Sequence, residues 1–250
     1  MRLKKRYGQH FLKDRNVIRR IADALPITSD DVVVEIGPGG GALTEELLAR
    51  NPKALYAIEI DPDWVNYLKE RFKDRITVFN ADATTFDFSQ LGRGLKFFGN
   101  LPYNVSTAII RNLLNHRSAF SGGVFMVQKE VAGRLTATGG KEFGYLPALL
   151  QRFFTVKPLF DVPPGAFKPP PKVWSTVVKL EPKEPELSDE ELLPFENFLK
   201  MAFSHRRKKL KKNIPVKGEL PPHLQPLLEK RAEELTGEQL LELFRALKRQ

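Results

Sequence analysis

The fold is decided by residues 32–42, which read Val32-Val33-Val34-Glu35-Ile36-Gly37-Pro38-Gly39-Gly40-Gly41-Ala42. The β-branched run at the start predicts a buried strand, and the glycines predict a tight turn that opens a helix. This order is typical of a parallel α/β sheet whose first turn lies against a ligand. Since a purely structural turn would use only one or two glycines, the sequence favours a ligand-binding turn.

The same alternation of strands and helices continues to about residue 136. Strands are predicted at 54–60, 76–79, 95–98 and 123–128, and helices at 42–50, 62–72, 105–115 and from 129 onward. Asp61-Pro62 supplies the cap and the initiating proline of one of these helices.

Two later extended segments, 153–162 and 174–180, flank a proline-rich bend. No helix fits between them, so we expect them to pair antiparallel at one edge of the sheet.

The composition changes after Glu181-Pro182-Lys183-Glu184-Pro185, which is typical of a linker. Only helical segments follow, the first at about 188–203. The sequence therefore predicts an α/β domain at 1–183, with a mostly parallel sheet and an antiparallel last strand. A small all-α domain is expected at 186–250.

Hydrogen-bond acceptors follow successive strands of the predicted sheet. Glu59 ends the second strand, 20 residues after Gly39, where a carboxylate can accept both hydroxyl hydrogens of a ribose. This spacing suits a nicotinamide dinucleotide and S-adenosylmethionine equally. Asp82 follows the third strand, where it could accept from an adenine amino group, although an Asp there could also only cap a turn.

The most specific signal is Gly99-Asn100-Leu101-Pro102-Tyr103, directly after the fourth strand. Asparagine supplies a side-chain carbonyl, proline stiffens the turn, and tyrosine offers a flat apolar face. The carboxyl end of a parallel strand is where open α/β sheets bind ligands. A dinucleotide enzyme would instead need a cleft for a pyrophosphate and groups for hydride transfer, so a nicotinamide-dependent dehydrogenase is the weaker alternative.

The net charge of +10 is concentrated in two runs of the sequence. Residues 1–20 hold eight basic side chains and one acid, and residues 200–217 hold eight basic side chains and none. Although one such run could be a solvated face, two runs against an acidic remainder favour nucleic acid as the partner.

The chain has no cysteine, and its four histidines are scattered, so no metal site is expected. No apolar run is long enough to span a membrane, and no secretory signal is present.

Four segments carry a resemblance to a known family. Tyr7-Gly8-Gln9-His10-Phe11-Leu12 is similar to its GQxFL motif, and residues 37–43 are similar to its cofactor loop. Residues 167–175 match FxPxPxVxS, and residues 203–210 resemble the basic FxxRRK segment. Over nearly its whole length the chain resembles the KsgA/RsmA family of small-subunit rRNA adenine dimethyltransferases.

The resemblance implies a Rossmann-like class I methyltransferase that uses S-adenosylmethionine and releases S-adenosylhomocysteine. The implied substrate is two adjacent adenines in the 3'-terminal hairpin loop of 16S rRNA, within an immature 30S particle. A cytoplasmic monomer with a role in small-subunit biogenesis is expected.

The resemblance also implies roles for individual residues. The expected cofactor-binding residues are His10, Leu12, Gly37, Gly39, Glu59, Asp82 and Asn100, although asparagine is common in the family where this chain has His10. The expected catalytic residues are Asn100, Leu101, Pro102, Tyr103 and Phe167, with Tyr103 and Phe167 stacking on the target base. The expected RNA-binding residues are Arg206, Arg207, Lys208, Lys209, Lys211 and Lys212.

Two alternatives within RNA biology stay open. The first is a ribosome-assembly or nucleic-acid-binding factor whose methyltransferase activity is lost or secondary. The second is a 23S rRNA adenine methyltransferase of the erythromycin-resistance type. Because that type typically lacks the basic carboxy-terminal segment, the sequence favours the small-subunit target.

Overall fold

The computed structural model describes residues 9–250 and divides the chain into two compact units. The sheet unit ends at Ala132 and resumes with Thr155–Pro182, and the helical unit comprises Gly133–Phe154 and Lys183–Gln250. Part of the first basic run and the start of the amino-terminal motif lie outside the described residues, namely Arg2, Lys4, Lys5, Arg6, Tyr7 and Gly8.

The predicted mixed sheet is confirmed and has seven strands. They are β2 (Val32–Ile36), β3 (Ala54–Glu59), β4 (Thr77–Asn80), β5 (Leu95–Asn100), β6 (Phe120–Gln128), β7 (Phe154–Val162) and β9 (Ser175–Pro182). Their order is β4-β3-β2-β5-β6-β9-β7. The pairs from β4 to β6 are parallel, and β9 runs antiparallel to β6. β6 begins earlier than predicted, because Gly122 and Gly123 disfavour a strand locally but pair with Lys96 and Phe97.

The α-helices between Arg15 and Thr136 are α1 (Arg15–Asp23), α2 (Ala42–Leu48), α3 (Pro62–Phe72), α4 (Ser106–Asn115) and α5 (Lys129–Thr136). α2, α3 and α4 lie between parallel strands in the chain, whereas α1 precedes β2 and α5 begins in the sheet unit and ends in the helical unit. As predicted, Asp61 caps α3, where its carboxylate accepts from the Asp63 N–H at 3.0 Å. In β2, Val33 and Val34 are fully buried, as a strand covered on both faces requires.

A second, two-stranded sheet was not predicted from the sequence. β1 (Phe11–Leu12) pairs antiparallel with β8 (Phe167–Lys168), with Leu12 opposite Phe167. Strands of two residues are too short to show the alternating pattern that predicts a strand. This pairing brings the start of the described chain to the proline-rich bend.

The helical unit contains α6 (Tyr145–Leu150), α7 (Asp189–Ala202), α8 (Leu210–Asn213) and α9 (Gly237–Lys248). A capping box of Ser188 and Glu191 begins α7, close to the predicted start.

The prediction placed residues 133–154 in the α/β domain, but Gly133–Phe154 belongs to the helical unit, whose second segment begins at Lys183, next to the predicted linker. Arg152 explains this membership: its side chain is only 4% exposed and pairs with Glu186 at 2.9 Å and with Glu238 at 3.0 Å. A buried guanidinium needs such carboxylate partners, and both come from the later part of the chain. Within residues 9–250, no helix is both long and apolar enough to cross a membrane.

Candidate functional site

A cleft with about 1030 Å³ of empty space, part of it open to solvent, lies at the carboxyl ends of β2, β3 and β5. Neighbouring parallel strands end at the same edge of a sheet, so the acceptors that follow them in the sequence meet there. The predicted residues that line this cleft are His10, Gly37, Gly39, Glu59, Asp82, Asn100, Leu101, Pro102 and Tyr103.

The glycine turn is held in a conformation that favours glycine. Gly37, Gly39 and Gly41 have φ angles of 67°, 54° and 86°. A Cβ atom on Gly39 would lie 2.4 Å from Cε1 of Phe11. Gly39 is therefore required both by the backbone and by the ring of Phe11 that packs on the turn.

Glu59 connects this turn to the end of β3. Its Oε1 accepts from the Gly39 N–H at 3.2 Å, and its Oε2 accepts from the Asp61 N–H at 2.9 Å. Burial raises the pKa of Glu59, although these N–H donors partly offset that effect. Since a carboxylate has about four acceptor positions, Glu59 keeps capacity for the hydroxyl groups of a ligand.

Asp82 lines the cleft, and one of its two carboxylate oxygens caps a turn. Its Oδ1 accepts from the Thr84 N–H at 2.9 Å and from the Thr84 hydroxyl at 2.7 Å. Within residues 9–250 no donor is bonded to Oδ2. The turn-capping role and the ligand-binding role that the sequence left open are thus compatible.

The side-chain amide of Asn100 has a fixed orientation. Its Nδ2 donates to the backbone carbonyl of His10 at 2.9 Å. Because a carbonyl can only accept, the amide nitrogen must face His10, which leaves Oδ1 as the available group. Oδ1 has no donor in the part of the chain that the structure describes. The turn after Asn100 is closed by the Val105 N–H, which donates to the Pro102 carbonyl at 3.2 Å.

Tyr103 is held between two partners from distant parts of the chain. The His10 ring stacks on the Tyr103 ring, with the ring centroids 5.3 Å apart and an angle of 27° between the ring planes. The Tyr103 hydroxyl lies 2.5 Å from Ser175 Oγ. His10 Nδ1 lies 2.9 Å from the Pro169 carbonyl, so Nδ1 must carry a proton and donate. Burial raises the pKa of Tyr103, which keeps its hydroxyl neutral.

Leu12 and Phe167 do not line the cleft. Leu12 is buried in the core, and Phe167, 1% exposed, belongs to the same hydrophobic cluster. Leu12 and Phe167 lie opposite each other in the β1–β8 pairing. Stacking on a base would require Phe167 to leave the core, so we correct its predicted role to a structural one.

Several residues that line the cleft were not predicted from the sequence, including Gln9, Phe11 and Ile60. Two signals could have found them: Gln9 and Phe11 flank His10 in the amino-terminal motif, and Ile60 directly follows the acceptor Glu59. Across residues 9–250, His, Asp and Glu side chains form no group of three or more that could hold a metal ion.

The basic segment of the helical unit contains two kinds of residue. Arg206 donates to the carbonyls of Lys141 and Phe143 at 2.8 and 2.7 Å and to Glu233 at 3.2 Å, so it supports the fold. Lys209 and Lys211 both pair with Glu229, at 2.8 and 2.5 Å. Of the six residues predicted to bind RNA, Arg207, Lys208 and Lys212 are exposed and have no acidic partner among residues 9–250.

One buried carboxyl group next to the cleft yields a prediction about stability. Glu35 in β2 is 1% exposed and accepts from the Thr44 hydroxyl. Burial raises the pKa of Glu35 to about 8, and the nearby charge of Glu59 adds to the effect. The folded state therefore binds a proton that the unfolded state loses above its ordinary pKa of 4.5, so the free energy of unfolding falls as the pH rises from about 5 to 8.

In Glu35→Gln we expect the free energy of unfolding to fall less steeply with pH, by up to about 1.4 kcal/mol per pH unit. The reason is that glutamine cannot bind the one proton by which the folded and unfolded states of the wild type differ at this position. Urea unfolding at several pH values between 5 and 8 measures the slope. Equal slopes in the variant and the wild type would show that Glu35 ionises normally in the fold.

The chain is similar to known proteins over nearly its whole length. A family model described as ribosomal RNA adenine dimethylase matches residues 1–248. The ribosomal RNA small subunit methyltransferase A of Sulfurihydrogenibium sp. (strain YO3AOP1) is 41% identical over 247 residues, which cover 96% of this chain and 95% of that protein.

Two solved structures are similar in both fold and sequence. A dimethyladenosine transferase from Plasmodium falciparum has a TM-score of 0.77 and 30% identity, and the match covers 94% of this chain and 96% of that one. The 23S rRNA methyltransferase ErmE has a TM-score of 0.76 and 27% identity, with 95% and 99% covered. The likeness in both cases extends over the sheet unit and the helical unit.

Proposed function

The chain belongs to the ribosomal RNA adenine dimethylase family, and on that premise we propose that it dimethylates adenines of small-subunit rRNA with S-adenosylmethionine. The proposed targets are the exocyclic amino groups of two adjacent adenines in the 3'-terminal hairpin loop of 16S rRNA. The observation that carries this proposal is the orientation of Asn100, whose Oδ1 is available in the cleft because its Nδ2 is bonded to His10.

The cleft offers the acceptors that S-adenosylmethionine requires. Glu59 can accept from the ribose hydroxyls, and Asp82 Oδ2 can accept from the adenine amino group. In addition, Oε1 of Gln9 is buried without a hydrogen-bond partner among residues 9–250, and Gln9 lines the same cleft. A buried acceptor without a donor costs free energy, and a ligand that carries an ammonium group would satisfy it.

Asn100 and Leu101 would position the target nitrogen. An adenine amino group is a weak nucleophile because its lone pair is delocalised into the ring. Oδ1 of Asn100 and the backbone carbonyl of Leu101 can accept its two hydrogens and favour a pyramidal nitrogen with a directed lone pair. When bound, S-adenosylmethionine supplies an activated methyl group to that lone pair.

No strong base is needed for this reaction. The nitrogen becomes acidic only as its new bond to carbon forms, and water can accept the proton. Positioning then supplies most of the rate enhancement, with a ceiling of roughly 7–11 kcal/mol. A second transfer to the same nitrogen remains possible because one hydrogen is left for one of the two acceptors.

Tyr103 would provide the surface on which the target base stacks. One face of its ring is covered by His10, and the Ser175 contact fixes its hydroxyl. Such an immobilised ring loses little entropy when a base binds, and stacking contributes on the order of 1–3 kcal/mol. This offsets part of the cost of extruding the adenine, which is a few kcal/mol.

The basic residues Arg207, Lys208 and Lys212 would bind phosphates of the same RNA. We propose an immature 30S particle as the physiological substrate, with the enzyme acting as a cytoplasmic monomer. Because an immature particle is still being assembled, an enzyme that acts on it would also have a role in small-subunit biogenesis.

Transfer of labelled methyl groups tests this proposal directly. We expect the protein to label small-subunit particles taken from cells that lack it, and nuclease digestion to yield dimethyladenosine. Large-subunit RNA should stay unlabelled. Labelling of large-subunit RNA alone would favour the activity named for ErmE, and particle binding without labelling would favour an assembly factor.

A further inference from the structure

Residues 168–175 form an aromatic and basic rim that the proposed mechanism does not use. Its exposed members are Lys168, Pro169, Pro170, Lys172, Val173 and Trp174. Trp174 is 50% exposed and Val173 is 43% exposed. Lys168 and Lys172 are exposed as well, and neither has an acidic partner among the described residues. Single apolar residues at a surface are common, but here a large exposed ring follows two cations, Lys168 and Lys172, in one short segment.

The backbone at Trp174 is held in place. Its carbonyl accepts from the Lys129 N–H at 3.0 Å, at the start of α5. The next residue, Ser175, is fully buried and pairs with Gln128 in the sheet. The indole ring is therefore presented to solvent from a fixed backbone position.

Both ends of the rim are connected to the cleft. The hydroxyl of Ser175 lies 2.5 Å from that of Tyr103, and the carbonyl of Pro169 lies 2.9 Å from His10 Nδ1. Tyr103 and His10 both line the cleft. Because consecutive Cα atoms are about 3.8 Å apart, the backbone of Trp174 lies next to the contact that fixes Tyr103.

We propose that Trp174 stacks on an RNA base adjacent to the target adenine, while Lys168 and Lys172 bind the flanking phosphates. The inference rests on the proposed function, which requires a single-stranded segment to cross the mouth of the cleft. Single strands are bound by aromatic rings that stack on bases, together with cations that follow the backbone. The two lysines favour a polyanion over an apolar protein surface as the occupant.

Fluorescence tests the stacking without any turnover. The chain has two tryptophans, so Trp64→Phe leaves Trp174 as the only one. Titration with a short, labelled, adenine-rich single-stranded RNA should quench the emission over the range in which the anisotropy of the label rises. A rise in anisotropy with unchanged emission would overturn the proposal.

Kinetics on small-subunit particles from cells lacking the protein give the second test. We expect Trp174→Ala to raise the KM for particles about 5- to 150-fold, with the KM for S-adenosylmethionine unchanged. Trp174→Phe should restore most of the loss, because it retains an aromatic face. Leu159→Ala, another exposed apolar residue of the sheet unit, is the matched control and should leave the KM unchanged.

These outcomes separate the two proposals. If Trp174→Ala behaves like Leu159→Ala while the wild type transfers methyl groups, the stacking role is wrong and the proposed function stands. If the wild type transfers none, the proposed function fails, and the fluorescence titration still decides whether Trp174 contacts RNA.

Discussion

Replacement of Asn100 by alanine is expected to lower the rate of methyl transfer about 10²- to 10³-fold at saturating S-adenosylmethionine. The variant lacks Oδ1, which would accept a hydrogen from the target amino group, and it also releases the His10 carbonyl. Loss of one positioned group or a shift of about 1 Å in the substrate costs a factor of this size. Single-turnover measurements on small-subunit particles isolate the chemical step from product release.

The matched control is Asn16→Ala, the same substitution at an exposed position of α1. It should transfer methyl groups at the wild-type rate. Thermal unfolding of both variants verifies the fold, and saturation with S-adenosylmethionine removes any effect on cofactor affinity. Wild-type transfer by Asn100→Ala would show that another group positions the amine.

Simultaneous replacement of Arg207, Lys208 and Lys212 by alanine is expected to weaken binding to small-subunit particles on the order of 10²-fold near physiological salt. These three cations are exposed and lack acidic partners within residues 9–250, so they are available to phosphates. Each phosphate contact contributes about −0.7 to −0.9 to the slope of log affinity against log salt, so the magnitude of the slope should decrease by about two to three. Binding measured over a range of salt concentrations gives both quantities.

A double variant of Lys209 and Lys211 is the matched control from the same segment. Since both pair with Glu229, their removal should change the salt slope less. Affinity for S-adenosylmethionine should not change in either variant. A parallel loss of particle and cofactor affinity would indicate damage to the fold, which we expect instead from Arg206→Ala, because Arg206 bonds the carbonyls of Lys141 and Phe143.

Features that depend on neighbouring residues could be predicted from the sequence. The run 32–36 forms a strand because β-branched side chains suit a buried sheet, and α3 begins at Pro62 because Asp61 caps it. Glu59, Asp82 and Asn100 follow successive predicted strands in the sequence, and the family resemblance implies that all three bind the cofactor. The structure places all three along the same cleft.

Features that depend on distant partners could not be predicted in this way. The segment at 153–162 was predicted as an edge strand, but nothing local indicated that 133–154 belongs to the helical unit. The ion pairs of Arg152 with Glu186 and Glu238 connect this segment to the later part of the helical unit, and they join residues far apart in the chain. Likewise, the charge pattern predicted six RNA-binding cations and could not show that Glu229 and Glu233 pair with three of them.

The α/β sheet, the glycine turn and the order of the acceptors along it follow from strand propensity, caps and turns, which are local properties of the chain. Which acceptor atoms are available to a ligand depends instead on contacts between distant residues. The pairing of β1 with β8 brings His10 to Pro169 and to Asn100, residues that are 159 and 90 positions away. Phe167 is buried in this paired strand. The hydrogen bond from Asn100 Nδ2 to the His10 carbonyl leaves Oδ1 of Asn100 available as an acceptor.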